Sequence, residues 1–98
     1  MRLIFIDDKN CEPCKKAFPV VEEFASEIGF KVDVVDARNV DDKIIEHIRF
    51  DHSIAVPAVC LADDGNIMKC AVGYPNSPDA YKEMLMEMVT DALPSVWS

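Results

Sequence analysis

The sequence predicts an α/β fold in the order β-α-β-α-β-β-α, a four-stranded mixed sheet with helices on both faces. Three observations predict it. Short apolar runs alternate with stretches whose apolar residues fall at helical spacing. Asp63-Asp64-Gly65-Asn66 carries hairpin-turn chemistry between two of those runs. The opening run–helix–run implies a right-handed crossover between parallel strands.

Each element follows from its residues. Leu3 to Ile6 is an apolar run suited to a strand buried on both faces. From Cys14 to Ile28, Ala17, Phe18, Val21, Phe24, Ala25 and Ile28 trace one helical stripe, and Gly29 stops it. Phe30 to Val35 reads as a second strand that ends in Asp36. Asp41 to Phe50 places Ile44, Ile45 and Ile48 on one face of a shorter helix. Val56 to Ala62 is a third strand, and Ile67 to Val72 returns as a fourth. Gly73 to Pro78 is a loop, and Asp79 to Ala92 a last helix with Ala80, Tyr81, Met84, Leu85, Met88 and Val89 on its stripe. One domain over residues 1–92 is expected, with residues 93–98 as a C-terminal tail.

Composition narrows the function classes. Eighteen acidic against ten basic side chains give a net charge of −8 in 98 residues. Nucleic acid and anionic membrane surfaces are therefore not expected as partners, since both require clustered Lys and Arg. The longest basic run is Lys15-Lys16. No apolar run is long enough to cross a bilayer, and Asp7-Asp8 interrupts the first one too early for a signal peptide. The expected location is the cytoplasm. Four cysteines in such a chain point to redox or metal chemistry more than to a disulfide framework.

Cys11-Glu12-Pro13-Cys14 lies where a strand hands over to a helix. Wound into a first helical turn, the two cysteines come close enough to form a disulfide. Unpaired N–H groups and the helix dipole favour a thiolate at Cys11, and thiol pKa values in such settings fall to about 3.5–7.5. Pro13 suits the first turn, where its missing N–H costs nothing. Cys11 is then the exposed attacker, and Cys14, one turn deeper, the resolving thiol. The alternative is half of a zinc site, which needs two more ligands. Cys60 and Cys70 fall on strands, and His47 and His52 lie a whole βα unit away.

The stretch Cys11-Glu12-Pro13-Cys14-Lys15-Lys16-Ala17-Phe18-Pro19 resembles the active-site helix of thioredoxins, with Pro19 at the position of the family's helix-kinking proline. Val56-Pro57 resembles the family's cis-proline segment, and the spacing of Pro57, Gly65 and Gly73 is similar to that of its final hairpin. The resemblance covers about residues 3 to 92 and implies a minimal thioredoxin (glutaredoxin-like) fold. It implies a thiol–disulfide oxidoreductase that reduces protein disulfides through Cys11 and Cys14. Glu12, Pro13, Val56, Pro57, Gly73 and Tyr74 would then contact substrate. Lys15, Asp7 and Asp8 would support the thiolates.

The chain also departs from the family. The first βα unit of thioredoxins is missing, as in glutaredoxins. Phe5 stands where thioredoxins bury an Asp, Val32 where its partner Lys would be, and Asn10 where a Trp precedes the first Cys. Asp7 or Asp8 could assist Cys14 if either turned inward. A glutathione site of the glutaredoxin kind lacks its acidic pair, since Gly73-Tyr74-Pro75 stands there. Glutaredoxin size with thioredoxin chemistry is the expectation.

Cys60 and Cys70 sit on opposite arms of the hairpin and are expected as two small buried core residues. The alternative is a second redox pair or a regulatory disulfide. They face each other if the turn is three residues plus a bulge, and slip by one residue across a two- or four-residue loop. Lys16, His47 and His52 are expected as solvated charge, Met84, Met86 and Met88 as packing, and Trp97 as part of the tail. No cofactor or metal motif is visible, so electrons are expected from a reductase or a low-molecular-weight thiol. A disulfide-containing protein substrate and a monomeric state complete the expectation. The rival functions are a redox-regulated binding module and a cysteine-based metal carrier on the same scaffold.

Overall fold

The computed structural model describes residues 1–50 and 53–93. The expectations for His52, Trp97 and the tail beyond Leu93 lie outside these residues. Strand β1 (Arg2–Asp7) leads into helix α1 (Glu12–Ile28), followed by β2 (Lys31–Asp36). A single 3₁₀ turn (Ala37–Asn39) connects to α2 (Asp42–Ile48) and two short strands, β3 (Arg49–Phe50) and β4 (Ser53–Ile54). Strands β5 (Ala58–Asp63) and β6 (Asn66–Val72) then precede α3 (Pro78–Ala92). The main sheet has the order β2-β1-β5-β6, with β1 parallel to β2 and antiparallel to β5, and β5 antiparallel to β6.

Local chemistry sets the boundaries. Helix α1 starts one turn before its apolar stripe because Cys11 is its N-cap and Pro13 occupies its first turn. The predicted helix over Asp41–Phe50 is shorter than expected. Its last buried residue is Ile48, whose carbonyl accepts from the Ala55 N–H at 3.0 Å, and Arg49 is already extended. Arg49 and Phe50 instead pair with Ile54 and Ser53. The predicted strand at Val56 begins at Ala58, since Pro57 has no N–H to give a ladder. Leu93, assigned by the sequence to the tail, is buried in the core, and its N–H donates to the Val89 carbonyl at 2.9 Å.

The hairpin between β5 and β6 decides the cysteine register. Asp64 and Gly65 both have positive φ (48° and 81°), the conformation of a two-residue type I′ turn that Asp-Gly adopts readily. Asp63 faces Asn66 and Ala62 faces Ile67, but Leu61 faces Lys69, so Met68 is an extra residue, a β-bulge. The bulge brings Cys60 directly opposite Cys70.

Alternation along the strands divides the core between two faces. Leu3, Phe5, Val59, Leu61 and Ala71 pack against Ala17, Val21 and Phe24 of α1 and Tyr81, Leu85 and Val89 of α3. Ile4, Ile6, Ala58, Cys60 and Ala62 pack against Ile44 and Ile48 of α2. Lys82 of α3 also bridges Glu23 (2.8 Å) and Glu27 (3.1 Å) of α1, which raises its own pKa and lowers that of Glu23.

Candidate active site

The C-terminal end of β1 and the open end of the β5–β6 hairpin meet at one edge of the sheet. Ile6 is paired with Ala58 and Ala58 with Val72, so Cys11, Pro57 and Gly73 all leave the sheet at that end. The Asp8 carbonyl accepts from the Cys11 N–H at 3.0 Å, and Asp8 Oδ1 accepts from the Asn10 N–H at 3.0 Å. This tight turn delivers Cys11 to the helix N-terminus.

Cys11 and Cys14 form a disulfide, with Cα atoms 5.2 Å apart, inside the usual span for such a bond. Cys11 has extended backbone, and its Sγ accepts from the Cys14 N–H at 3.1 Å, so the sulfur itself caps the helix. A cap position gives a sulfur anion the hydrogen bonds and partial positive charge that stabilise it. Cys11 is half-buried, whereas Cys14 is 1% exposed. The arrangement suits an outer sulfur open to attack and an inner sulfur shielded from solvent.

The remaining predicted residues divide into two groups. Pro57 is buried in a cis peptide bond after half-buried Val56, and its carbonyl accepts from the Gly73 N–H at 2.8 Å. Gly73 has φ of 90°, a conformation side chains rarely adopt, so the hairpin leaves the sheet by a glycine-dependent bend. Tyr74 packs edge-on against Tyr81 with ring centroids 5.1 Å apart. Cys11, Val56 and Tyr74 are all partly buried against the same core cluster, at the end of the sheet where Pro57 and Gly73 leave it.

The charged group is more dispersed. Glu12 and Lys15 pair with each other at 3.1 Å, and both are exposed, so the lysine charge is shared with a carboxylate rather than reserved for Cys11. Pro13 is exposed in the first turn. Asp8 is spent on the turn before Cys11, whereas half-buried Asp7 lines a cavity of about 420 Å³ with Cys14, Lys15, Phe18, Pro19 and Val34. Of the two aspartates, Asp7 is the one that shares a wall with the inner cysteine. Phe5, in place of a buried carboxylate, is 1% exposed and packs against Phe18 with ring centroids 5.4 Å apart.

Sequence reasoning missed that cavity. Phe18 and Pro19 were legible as helix residues, but Val34 belongs to an edge strand, and its place beside Cys14 follows from the crossover alone. A larger hollow of about 540 Å³ between Arg2, Gly29, Lys31 and Asp64 lies at the other end of the sheet and contains no thiol. His47 is exposed at the end of α2. Met88 is buried, Met84 half-buried and Met86 exposed, as packing and coating residues of α3. Among the described residues, no three His, Cys, Asp or Glu side chains are grouped to hold a metal ion, and no helix is long and apolar enough to cross a membrane.

The expectation for Cys60 and Cys70 as two free core thiols is corrected. They form a second disulfide across β5 and β6, with Cα atoms 4.0 Å apart. The bulge at Met68 is the physical reason, because the two-residue turn alone would set Cys60 opposite Lys69.

A family model described as TraF: F plasmid transfer operon protein matches residues 1–75. No curated protein matches the chain. Among solved structures, the reduced periplasmic thioredoxin SoxS of Paracoccus pantotrophus is 16% identical with a TM-score of 0.68, over 93% of this chain and 97% of that one. Thioredoxin 1 of Thermosipho africanus is also 16% identical, with a TM-score of 0.61 over 94% and 98%. The thioredoxin of Trypanosoma brucei brucei is 23% identical, with a TM-score of 0.61 over 92% and 75%. The fold is that of thioredoxin, in the minimal form with a four-stranded mixed sheet and three helices.

Proposed function

The chain belongs to the family described as TraF, F plasmid transfer operon protein, and from that premise we propose that it is a thiol–disulfide oxidoreductase that reduces protein disulfides. The observation that carries the reading is the Cys11–Cys14 pair at the start of α1, with an outer sulfur that caps the helix and an inner sulfur that is buried. In the reduced enzyme, the Cys11 thiolate attacks a substrate disulfide. A bond forms between Cys11 and one substrate sulfur, and the other leaves with the electron pair and a proton. Cys14, as thiolate, then attacks Cys11, closes the enzyme disulfide and releases the second substrate thiol. Two electrons pass to the substrate, and an external reductant must restore them.

Substrate lies against the rim formed by Val56, Pro57, Gly73 and Tyr74, beside exposed Glu12 and Pro13. A thioredoxin-like domain needs no resident cofactor for this exchange. A reductase or a low-molecular-weight thiol supplies the electrons, and the enzyme acts as a monomer. One solved neighbour is thioredoxin f2 in complex with ferredoxin:thioredoxin reductase, a precedent for a protein donor. The charge of −8 favours a protein partner with a neutral or basic docking face over nucleic acid or an anionic membrane.

Direction and compartment go together. Reduction requires a supply of electrons, which a reducing compartment such as the cytoplasm provides, so the cytoplasm accompanies this reading. The Cys60–Cys70 disulfide favours the opposing one, an oxidising compartment in which the protein would act as oxidant or isomerase. Acid-quenched alkylation of cells decides between them: Cys11 and Cys14 held as free thiols belong to the reductase, and held as a disulfide to the oxidant.

Turnover of insulin by dithiothreitol tests the mechanism. Cys11→Ser is expected to return the rate to the uncatalysed level, and Cys14→Ser to accumulate a mixed disulfide at Cys11. Retained turnover in the Cys11 variant would overturn the assignment. Metal analysis of the purified protein separates the metal-carrier alternative, and partner capture without turnover would mark a binding module.

A further inference from the structure

Cys60 and Cys70 have a setting unlike that of the first pair. Their strands alternate so that both lie on the α2 face of the sheet, whereas Cys14 is in the cluster on the α1 and α3 face. The sheet therefore separates the two disulfides, and no sulfur of one pair can reach the other within one chain. Cys60 is 0% exposed among Ile4, Ile6, Ile44 and Ile48. Cys70 is half-buried on β6, the edge strand of the sheet. One sulfur of the bond is thus enclosed, and the other belongs to a strand with an open side.

The bond also ties together the two strands that form the rim. Cys60 is two residues from Ala58, and Cys70 two residues from Val72, the pair that closes the hairpin at its active-site end. Immediately beyond that pair, the Gly73 N–H donates to the Pro57 carbonyl at 2.8 Å. A change in the cross-link is felt within two residues at the segment that carries Val56-Pro57.

We propose that Cys60–Cys70 is a second redox site, opened by dithiols independently of Cys11–Cys14, whose state controls the hold of β6 on the Pro57 segment. A thiolate of the dithiol attacks Cys70 Sγ. A new S–S bond forms there while Cys60–Cys70 breaks, and the electron pair leaves on Cys60 Sγ, which takes a proton. The second thiolate of the dithiol then attacks its own bound sulfur, closes the reagent's disulfide and releases Cys70 as a thiol. The dithiol is oxidised, and the pair gains two electrons and two protons.

The two sites should open at different points. Reduced Cys11 is stabilised as a thiolate at a helix N-terminus, which favours reduction of that pair. Cys60 leaves into an apolar pocket and caps no helix, so its reduced form gains no such stabilisation. Cys11–Cys14 is reduced first.

Equilibration of the oxidised protein over a range of reduced to oxidised dithiothreitol, with acid quench, alkylation and peptide mass mapping, tests this. The expected result is two separate two-thiol transitions. Cys60 and Cys70 become alkylated together at a ratio at least tenfold more reducing than Cys11 and Cys14, about 30 mV. The far-UV circular dichroism stays native, and the change reverses on reoxidation. In the Cys11→Ser/Cys14→Ser variant the Cys60–Cys70 transition keeps its position. Hydrogen exchange at the Gly73 amide rises at least tenfold in the form reduced at Cys60 and Cys70.

A single shared transition, an opening that occurs only with loss of native dichroism, or its disappearance in the variant would overturn the independent site. An unchanged Gly73 exchange rate would overturn its control of the rim. The significance of that control rests on the proposed role of Val56-Pro57 as the substrate shelf. The variant without Cys11 and Cys14 gives its result whether or not those residues turn over, so a failure here is distinct from a failure of the insulin assay.

Discussion

The two faces of the sheet solve the same burial problem with different materials. On one, the 17-residue α1 and 15-residue α3 cover Phe5, Phe24, Tyr81 and Leu85. On the other, the seven-residue α2 covers mainly Ile, Ala and Cys side chains. Buried apolar area stabilises at about 25 cal/mol per Å², so the face with larger side chains carries more of the hydrophobic term. That face also holds the inner cysteine and anchors the helix whose start is chemically active. The thinner face has a covalent link between two of its strands. Rigidity at the reactive helix comes from packing, and rigidity at the hairpin comes from a bond that redox conditions can remove.

The comparison can be broken by truncating one side chain on each face. Phe24→Ala is expected to cost about 4 kcal/mol and Ile48→Ala about 3 kcal/mol, both measured by urea unfolding under oxidising conditions. A larger loss at Ile48 would show that the small-residue face is the principal core. The covalent link is next in size. Cys60→Ala/Cys70→Ala is expected to lose about 3 kcal/mol relative to the oxidised protein, the cost of releasing a short closed loop. In excess dithiothreitol the difference should shrink towards zero, and a gap that persists there would assign the stability to packing of the sulfurs.

A smaller effect sharpens the large-residue face. Tyr81 Oη is buried without a hydrogen-bond partner among the described residues, which costs a hydroxyl its solvation. Tyr81→Phe should therefore gain about 1 kcal/mol in the same unfolding experiment, and a loss would reveal a polar role for that hydroxyl. Burial also pushes the Tyr81 pKa above its ordinary value of 10.0. The folded state then keeps the proton to higher pH than the unfolded chain. The contribution is fully present below pH 10 and is lost as pH rises through the folded value. An alkaline pH series should show this loss in the parent and its absence in Tyr81→Phe.

The two faces were not equally legible in the sequence. The periodicities of α1 and α3 and the Cys11-x-x-Cys14 placement depend on local spacing, so they could be read directly. Val56-Pro57 was identified by resemblance, and its approach to Gly73 follows from the hairpin. What could not be read depends on contacts between distant elements. The helix over Asp41–Phe50 ends early because the Ile48 carbonyl is taken by Ala55. The cavity beside Cys14 needs Val34 from another strand. The second disulfide turns on the bulged residue, Met68, and a bulge is chosen by the twist of the whole hairpin rather than by the residue that forms it.

That bulge has a consequence for how the gene can vary. The paired positions from Ala58–Val72 to Leu61–Lys69 are offset by one residue from the pairs nearer the turn, Ala62–Ile67 and Asp63–Asn66. Loss of the single codon for Met68 would remove the offset and leave a regular two-residue hairpin, with Cys60 still opposite Cys70. Gain of one codon in β6 between Asn66 and Cys70 would separate them unless a larger bulge absorbed it. Length variation in this hairpin is thus asymmetric: a shortened form can keep the cross-link, and a lengthened one must rebuild its strand.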